Sequence, residues 1–284
     1  MFKFCFLLVL LVTFAAGLIF SGESLNAQEP VRTTPGTAAK PETIPRTVQV
    51  SLNGDADLLL ENAEGKRLGM DFKSGKFVNE INARVVATES SATFILPFDK
   101  SGQTYKLTVS GRSASKAVAV LTMAGPGFLI GFKDMPLTSG QLQQLTMASN
   151  GLHLSFTANQ DGPTPQLFLT TQSGRGNPSY RFEISASRLR MGKTISVALD
   201  TGKGRLLFKT EDATKQSFAI KIRRTNPSGN RDAYAQNEIS FARSNSYAVD
   251  FGAWDGKSEL CFFEVCNSCQ ANRCIKLRNE SVAN

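Results

Sequence analysis

The sequence predicts an all-β protein made of two β-sandwich modules in tandem, preceded by an export signal and a Pro/Thr-rich linker and followed by a cysteine-rich hairpin. Three observations lead to this prediction. Apolar and polar residues alternate along short segments, as at Tyr105, Leu107 and Val109 with polar residues between them. Turn-forming residues recur about every 8 to 12 positions, a spacing typical of sandwiches and barrels. No window shows a helical period longer than about two turns.

Residues 1–27 have the order of regions found in an export signal. Lys3 is followed by an apolar run over residues 4–20 and a polar stretch over residues 21–26. We expect cleavage after Ala27; an uncleaved leader of this length is the one expected route to a membrane. The expected location is therefore secreted or periplasmic.

Residues 28–46 are predicted to be a linker. Prolines stand at positions 30, 35, 41 and 45, among Thr and Ala residues, and the stretch has few apolar residues. Proline keeps the chain extended, and the lack of apolar side chains keeps it out of a core.

The first module is predicted over residues 47–134. Its most regular part is a three-stranded meander over residues 58–81, with turns at 62–65 and 73–75 where glycines permit positive φ. The predicted strands are 48–52, 57–61, 67–72, 76–81, 84–88, 92–96, 104–110, 116–123 and 128–132.

A module boundary is predicted at residues 134–140, where the sequence DMPLTSG interrupts the alternation. The second module is then expected over residues 140–258, and a chain of 284 residues is long enough for two such modules. Residues 141–147 fit a helix or a strand. Predicted strands of this half are 152–157, 194–199, 205–209, 218–222 and 233–242.

Part of the first module resembles a β-sandwich module that recurs, often as an accessory piece, in secreted bacterial proteins. The matching positions are Gly65, Lys66, Arg67, Gly69, Asp71, Gly75, Asn79, Glu80 and Ile81, followed by the strand 105–109 (YKLTV). The sequence departs from the family at Asn62-Ala63, at Ser74 and at Asn82-Ala83. The resemblance covers about residues 48–132 and implies a sandwich in an extracytoplasmic setting. It implies no catalytic residues, and a shared fold does not transfer function.

The basic charge of the chain suits an anionic partner, but a solvated surface is the favoured interpretation, because most of the basic residues are scattered singly. Lys and Arg total 32 against 24 acidic residues, which gives a net charge of +8. Arg223, Arg224 and Arg231 form the densest basic group, at a hairpin turn. A solvated hairpin tip is the favoured interpretation of these residues, and binding to an anionic glycan or envelope polymer is the functional alternative. No nucleic acid is expected, because the aromatic residues that stack on bases are missing from this stretch.

Trp254 and Asp255 are a second candidate ligand site. The only tryptophan of the chain stands beside a carboxylate, a combination that suits sugar stacking. The alternative, which the preceding apolar strand favours, is a tryptophan buried in the core with its N–H bonded to a carbonyl.

The sequence offers little for catalysis or for cofactors. His153 is the only histidine, so sites with several histidines are excluded, and a surface position is expected for it. Carboxylate pairs for hydrolysis are available among Asp55, Asp57, Asp71 and Glu80, or at Asp250 and Asp255, but these have turn-type neighbours. The stretch 53–57 matches only the first positions of a calcium loop. No catalytic residue, metal or cofactor is predicted.

Four of the five cysteines lie in the tail, at Cys261, Cys266, Cys269 and Cys274. Residues 259–284 are predicted to form a cysteine-rich hairpin and tail. Folding residues 259–278 as a hairpin around Asn267 and Ser268 places Cys261 opposite Cys274 and Cys266 opposite Cys269. Export favours two nested disulfides in that arrangement, with a four-thiolate zinc site as the alternative.

These observations predict an exported, non-enzymatic binding or structural protein of the cell envelope or the extracellular space. The expected partner is an anionic glycan or envelope polymer, or another envelope protein. The alternative function is an exported hydrolase of carbohydrate or a similar polymer.

Overall fold

Alternation of apolar and polar residues produces strands with one buried and one outward side. In the first strand, for example, Val48, Val50 and Leu52 are buried between more exposed neighbours. The computed structural model describes residues 46–99, 101–113, 117–171, 177–186, 188–212, 216–241, 246–265 and 275–277. The described residues form twenty strands: β1 (Thr47–Asn53), β2 (Ala56–Glu61), β3 (Arg67–Asp71), β4 (Lys76–Asn79), β5 (Arg84–Ala87), β6 (Ser91–Pro97), β7 (Thr104–Gly111), β8 (Ala117–Gly125), β9 (Phe128–Leu137), β10 (Leu142–Ala148), β11 (His153–Thr157), β12 (Gln166–Thr171), β13 (Ser179–Ala186), β14 (Thr194–Asp200), β15 (Arg205–Thr210), β16 (Gln216–Thr225), β17 (Arg231–Phe241), β18 (Ser246–Asp250), β19 (Leu260–Val265) and β20 (Ile275–Leu277).

The strands form two large antiparallel sheets, so the prediction of an all-β sandwich is confirmed. The first sheet has the order β17-β16-β13-β12-β9-β8-β1-β6-β5, and the second has the order β20-β19-β18-β15-β14-β11-β10-β7-β2-β3-β4. Within the described ranges no helix is long and apolar enough to cross a membrane.

The chain moves between the sheets in a regular way from β8 onward. It makes two neighbouring strands of the first sheet, then two of the second, and repeats this through β19. Each new pair of strands is added beside the previous pair of its own sheet, as β12 is added beside β9. From β8 onward each sheet therefore grows in the order of the sequence.

Both sheets run without a break across residues 134–140, where the sequence predicts a module boundary. β9 continues to Leu137 and pairs with β8 on one side and β12 on the other. The interruption in the alternation is a bulge: the pairing shifts between Ala119 and Leu121, and Asp134 has a φ of 53°. The prediction of two tandem sandwiches is therefore corrected to one sandwich, and the described residues from Arg46 onward belong to one compact unit.

One hydrophobic core fills the space between the sheets along both halves of the chain. It includes Leu60 and Phe94 from the first half together with Phe182 and Phe262 from the second. Because buried apolar area is the main source of stability, this shared core couples the two halves energetically.

The residues that carry the family resemblance have structural contacts. The Arg67 side chain binds Glu80 at 2.8 Å and Asp71 at 3.0 Å, which joins β3 to the residues after β4. The pKa of Asp71 is lowered, first by the backbone N–H of Lys73 and then by the hydroxyl of Ser74. These charged side chains form ion pairs with one another and stabilise the turn between β3 and β4.

The cysteine-rich segment has a different register from the one predicted. β19 and β20 do pair as antiparallel strands, but Cys261 lies opposite Lys276 rather than Cys274. The hairpin is thus shifted by two residues from the predicted pairing. Cys266, Cys269 and Cys274 lie outside the described residues, as do the predicted signal at 1–27 and residues 28–45 of the predicted linker.

Candidate functional site

The outward side of the first sheet carries a group of cations on neighbouring strands. We call these residues the basic face: Lys133 on β9, Arg181 on β13, Lys221 and Arg223 on β16, and Arg231 on β17. Their outward direction follows from the alternation, because Phe182 and Ile222 next to them are buried in the core. The charged groups are therefore assembled on one surface from strands that are far apart in sequence.

A buried aromatic ring supports this face from within. Phe168 on β12 points to the same side, yet it is only 2% exposed. The Lys133 ammonium lies 5.6 Å from the centre of the ring, and the Arg181 guanidinium lies 5.4 Å from it. Such cation–π contacts are worth about 0.5–1 kcal/mol at accessible sites, and they hold both cations close to the sheet.

Gly131, directly opposite Phe168 on β9, makes room for the ring. A Cβ at Gly131 would lie 2.9 Å from Phe168 Cζ and 2.2 Å from the backbone oxygen of Leu121. The glycine is thus required by the close approach of its neighbours.

Glu183 positions the two central cations. Arg181 Nε donates to Glu183 Oε1 at 2.7 Å, and Arg223 Nη1 lies 4.0 Å from the same oxygen. The side chain of Glu183 is only 10% exposed, whereas that of Arg223 is 60% exposed. One carboxylate therefore anchors a pair of arginines, of which Arg223 remains open to solvent.

A shallow depression of about 470 Å³ adjoins these arginines. Its lining includes Arg181, Arg223 and Arg231 together with the hydroxyl residues Thr170, Ser179 and Thr225. Thr170 Oγ1 is buried and has no hydrogen-bond partner among the described residues. The depression therefore offers cationic donors and the hydroxyls of Ser179 and Thr225 to a ligand.

Two other depressions of similar size have different chemistry. One, of about 430 Å³ on the outer side of the second sheet, contains Lys106 and Glu61, which form a 3.6 Å ion pair. The other, of about 440 Å³ at an end of the sandwich near Phe128 and Phe251, has no charged lining residue. Of these three depressions, only the one on the basic face is lined by more than one cationic side chain.

The structure separates the three arginines that the sequence groups together. Arg223 and Arg231 are exposed on the basic face. Arg224 points to the other side of β16, where Nη1 donates to Asp232 at 3.1 Å and to the backbone oxygen of Asp255 at 3.1 Å. Its side chain is only 19% exposed. The prediction that Arg224 binds a ligand is therefore corrected: Arg224 connects β16 to β17 and to the 255 loop.

Trp254 and Asp255 are also structural rather than ligand-binding. Trp254 is 3% exposed, its Nε1 donates to the Ser258 backbone oxygen at 2.9 Å, and its ring meets Tyr234 edge-on. Asp255 accepts the backbone N–H groups of Lys257 and Ser258, which lower its pKa to about 2, with Ser258 the larger cause. The indole ring has no exposed face on which a sugar could stack, so Trp254 is a core residue with its N–H bonded to a carbonyl.

The carboxylates considered for hydrolysis are dispersed and occupied. Asp57 pairs with Arg112 at 2.8 Å and Asp250 with Arg205 at 3.9 Å, while Asp71 and Glu80 share Arg67. The pKa of Glu80 is lowered, chiefly by the Arg67 side chain. Asp57 is also the last residue of the predicted calcium-like stretch, and its arginine partner opposes cation binding. The described residues contain no group of three or more His, Cys, Asp or Glu that could hold a metal.

His153 lies on β11 directly opposite Ala198 of β14, and burial lowers its pKa. The nearby Ser155 is 8% exposed, and its hydroxyl is bonded to that of Thr146 at 2.6 Å. The Ser155 hydroxyl is therefore already hydrogen-bonded to Thr146 on the neighbouring strand β10.

Sequence reasoning found Arg223 and Arg231 but missed Lys133, Phe168, Arg181 and Glu183. These residues come from three strands, and β12 and β13 were not predicted. Phe168 stands between Leu167 and Leu169, and all three residues are apolar and buried. The alternation of polar and apolar residues that would indicate an outward side chain is therefore missing. The alternation of Arg181 and Glu183 with Tyr180 and Phe182 was the one available signal.

No family model, curated protein or solved structure matches this chain. The interpretation of the basic face therefore depends on its own geometry and chemistry.

Proposed function

We propose that this protein is an exported, non-enzymatic binding protein that holds an anionic polymer on the basic face. The observation that carries the proposal is the pairing of Arg181 and Arg223, which lie directly opposite each other on β13 and β16. Like charges in directly opposite positions destabilise a sheet. Their placement side by side, with one shared carboxylate, is understandable if a ligand brings further negative charge.

The charges around this pair support the same reading. Among the described residues, Lys133, Lys221 and Arg231 form no ion pair. Glu183 thus leaves an excess of positive charge along the face. A polyanion would gain favourable contacts with several of these cations at once, and screening by salt would weaken them.

The alternative hydrolase has no observation of this kind in its favour. A glycoside hydrolase needs one carboxylic acid with a raised pKa near a second carboxylate. The pKa values of Asp71, Glu80 and Asp255 are lowered instead. These groups are suited to holding turns and ion pairs.

We also propose export to the periplasm or the cell exterior, with residues 1–27 removed, residues 28–46 as a linker, and disulfides among Cys261, Cys266, Cys269 and Cys274. The order of regions in the leader supports the first part, and the oxidising compartment that it implies supports the last. Another envelope protein is the alternative partner.

The proposal is tested by neutralising the basic face and measuring affinity for an anionic glycan such as a polyuronate. The double variant Arg223→Gln/Arg231→Gln should bind about fivefold or more weakly and with a flatter dependence on salt. The matched control is Lys106→Gln/Lys209→Gln, which removes the same charge from the outer side of the second sheet. Equal losses in both variants, or no binding by the unaltered protein, would overturn the proposal.

A further inference from the structure

We infer that the ligand of the basic face is an acidic polysaccharide that lies as an extended chain diagonally across the first sheet, from Lys133 to Arg231. This inference rests on the proposed function and specifies the ligand class and its direction of binding.

The strand register places the cations on a diagonal line. Lys133 lies level with Gln166 on β12, while Arg181 is two rows further along the strands, level with Thr170. Arg223 is level with Arg181, and Arg231 is one row beyond, level with Thr225. The line thus moves one way along the strands while it crosses from β9 to β17.

The length of this line favours a polymer over a compact anion. Neighbouring strands are about 4.8 Å apart, and each two-residue step along a strand is about 6.7 Å. Crossing from β9 to β17 by way of β12, β13 and β16, while moving three such steps, gives roughly 28 Å between the backbone positions of Lys133 and Arg231. The charged groups span less, because the Lys133 ammonium leans toward the Phe168 ring that also contacts Arg181. A single sulfate or phosphate contacts only one part of such a surface, whereas an extended chain reaches all of it.

The chemistry along the line favours a polysaccharide over a nucleic acid. Ser179 and Thr225 line the central depression and offer hydrogen bonds to sugar hydroxyls. Arg181, Arg223 and Arg231 present planar donor groups that match carboxylate or sulfate oxygens. Phe168, the aromatic residue of this track, is buried beneath Lys133 and Arg181, so it offers no open face for a base to stack on.

The test uses the full exported chain and a series of acidic oligosaccharides whose extended lengths run from well below to well above the track. Affinity should rise steeply with length until the oligomer spans the track, because each added contact is then made within one complex. Short oligomers should occupy the central Arg181–Arg223 pair. Lys133→Gln should therefore weaken the long oligomers about two- to fivefold and leave the short ones unchanged. Lys209→Gln, on the second sheet, should change neither.

The outcomes separate this inference from the proposed function. Affinity that does not depend on length, or an equal effect of Lys133→Gln on short and long oligomers, overturns the diagonal track while the basic face remains a binding site. Tighter binding of single-stranded nucleic acid of the same length overturns the assignment to polysaccharide. Failure of every polyanion to bind overturns the proposed function itself.

Discussion

Arg181 and Arg223 lie side by side on β13 and β16 and share one carboxylate oxygen, at 2.7 Å and 4.0 Å. Glu183, which supplies that oxygen, is largely buried. The stability of this part of the sheet and its positive potential are therefore controlled by the same residue.

Replacing Glu183 tests this relationship. Glu183→Gln should lower the free energy of unfolding by about 1–3 kcal/mol, because a charged hydrogen bond is lost and two cations are left adjacent. The loss should shrink at high salt, which screens the repulsion. Urea unfolding at two salt concentrations measures both effects. Glu64→Gln, at an exposed pair with Lys66, is the control and should be nearly neutral.

The neighbours Arg223 and Arg224 should behave in opposite ways. Arg224→Gln should lower the free energy of unfolding by about 1–3 kcal/mol, because it breaks the largely buried contacts with Asp232 and the Asp255 backbone. Arg223→Gln should leave stability nearly unchanged and weaken polyanion binding. The fluorescence of Trp254, the only tryptophan, reports unfolding. A stability loss at Arg223 without one at Arg224 would contradict the assignment.

Gly131 should tolerate no side chain. Gly131→Ala places a Cβ against the Leu121 backbone oxygen and the Phe168 ring, so we expect a loss of about 1–3 kcal/mol from overpacking. Gly202→Ala is the control, because its added Cβ would contact only Asp200 Oδ1, at an ordinary 3.5 Å. Thermal unfolding of both variants measures the difference. Equal melting temperatures would contradict the requirement for glycine at this position.

His153 should make stability depend on pH in a defined direction. Burial lowers its pKa in the folded protein below the ordinary 6.5, so the unfolded chain binds the proton more readily. The resulting stability is present above pH 6.5 and is lost as the pH falls from there toward the folded pKa. His153→Gln should remove this part of the pH dependence. Since the chain has one histidine, NMR titration gives its pKa directly.

Asp255 should contribute in a more acidic range. Its pKa of about 2 lies below the ordinary 3.8, because the backbone N–H groups of Ser258 and Lys257 bind the charged carboxylate. Its contribution is present above pH 3.8 and is lost as the pH falls toward 2. Asp255→Asn should therefore destabilise the protein at neutral pH, with the difference from the unaltered chain vanishing near pH 2. A stability difference that stays the same from pH 3.8 to 2 would show that the charge of Asp255 is not its cause.

Much of the strand pattern could be predicted because one side of each strand is buried. Alternation located β1, β7 and β14 to within about two residues at each end. β12 was missed because Leu167, Phe168 and Leu169 are all buried, which removes the alternation. The boundary predicted at 134–140 was wrong, because a bulge interrupts the alternation in the same way as a linker.

The candidate site was only partly predictable for a different reason. Arg223 and Arg231 lie eight residues apart on a hairpin, so their proximity is visible in the sequence. Lys133 and Arg181 come together with them only through the order of strands in the first sheet. Pairing of distant strands is decided by the whole core, and local propensity carries no information about it.

The regular movement of the chain between the sheets has a consequence for how the protein folds and is made. From β8 onward each strand pair rests on strands that precede it in the sequence, so the sandwich can lengthen as the chain emerges, without waiting for the carboxyl terminus. Pairings within each hairpin span few residues, which shortens the loops that must close. Loss of the last hairpin would therefore shorten the sandwich and leave the earlier strand pairings in place, as in proteins that grow by the stacking of repeated units.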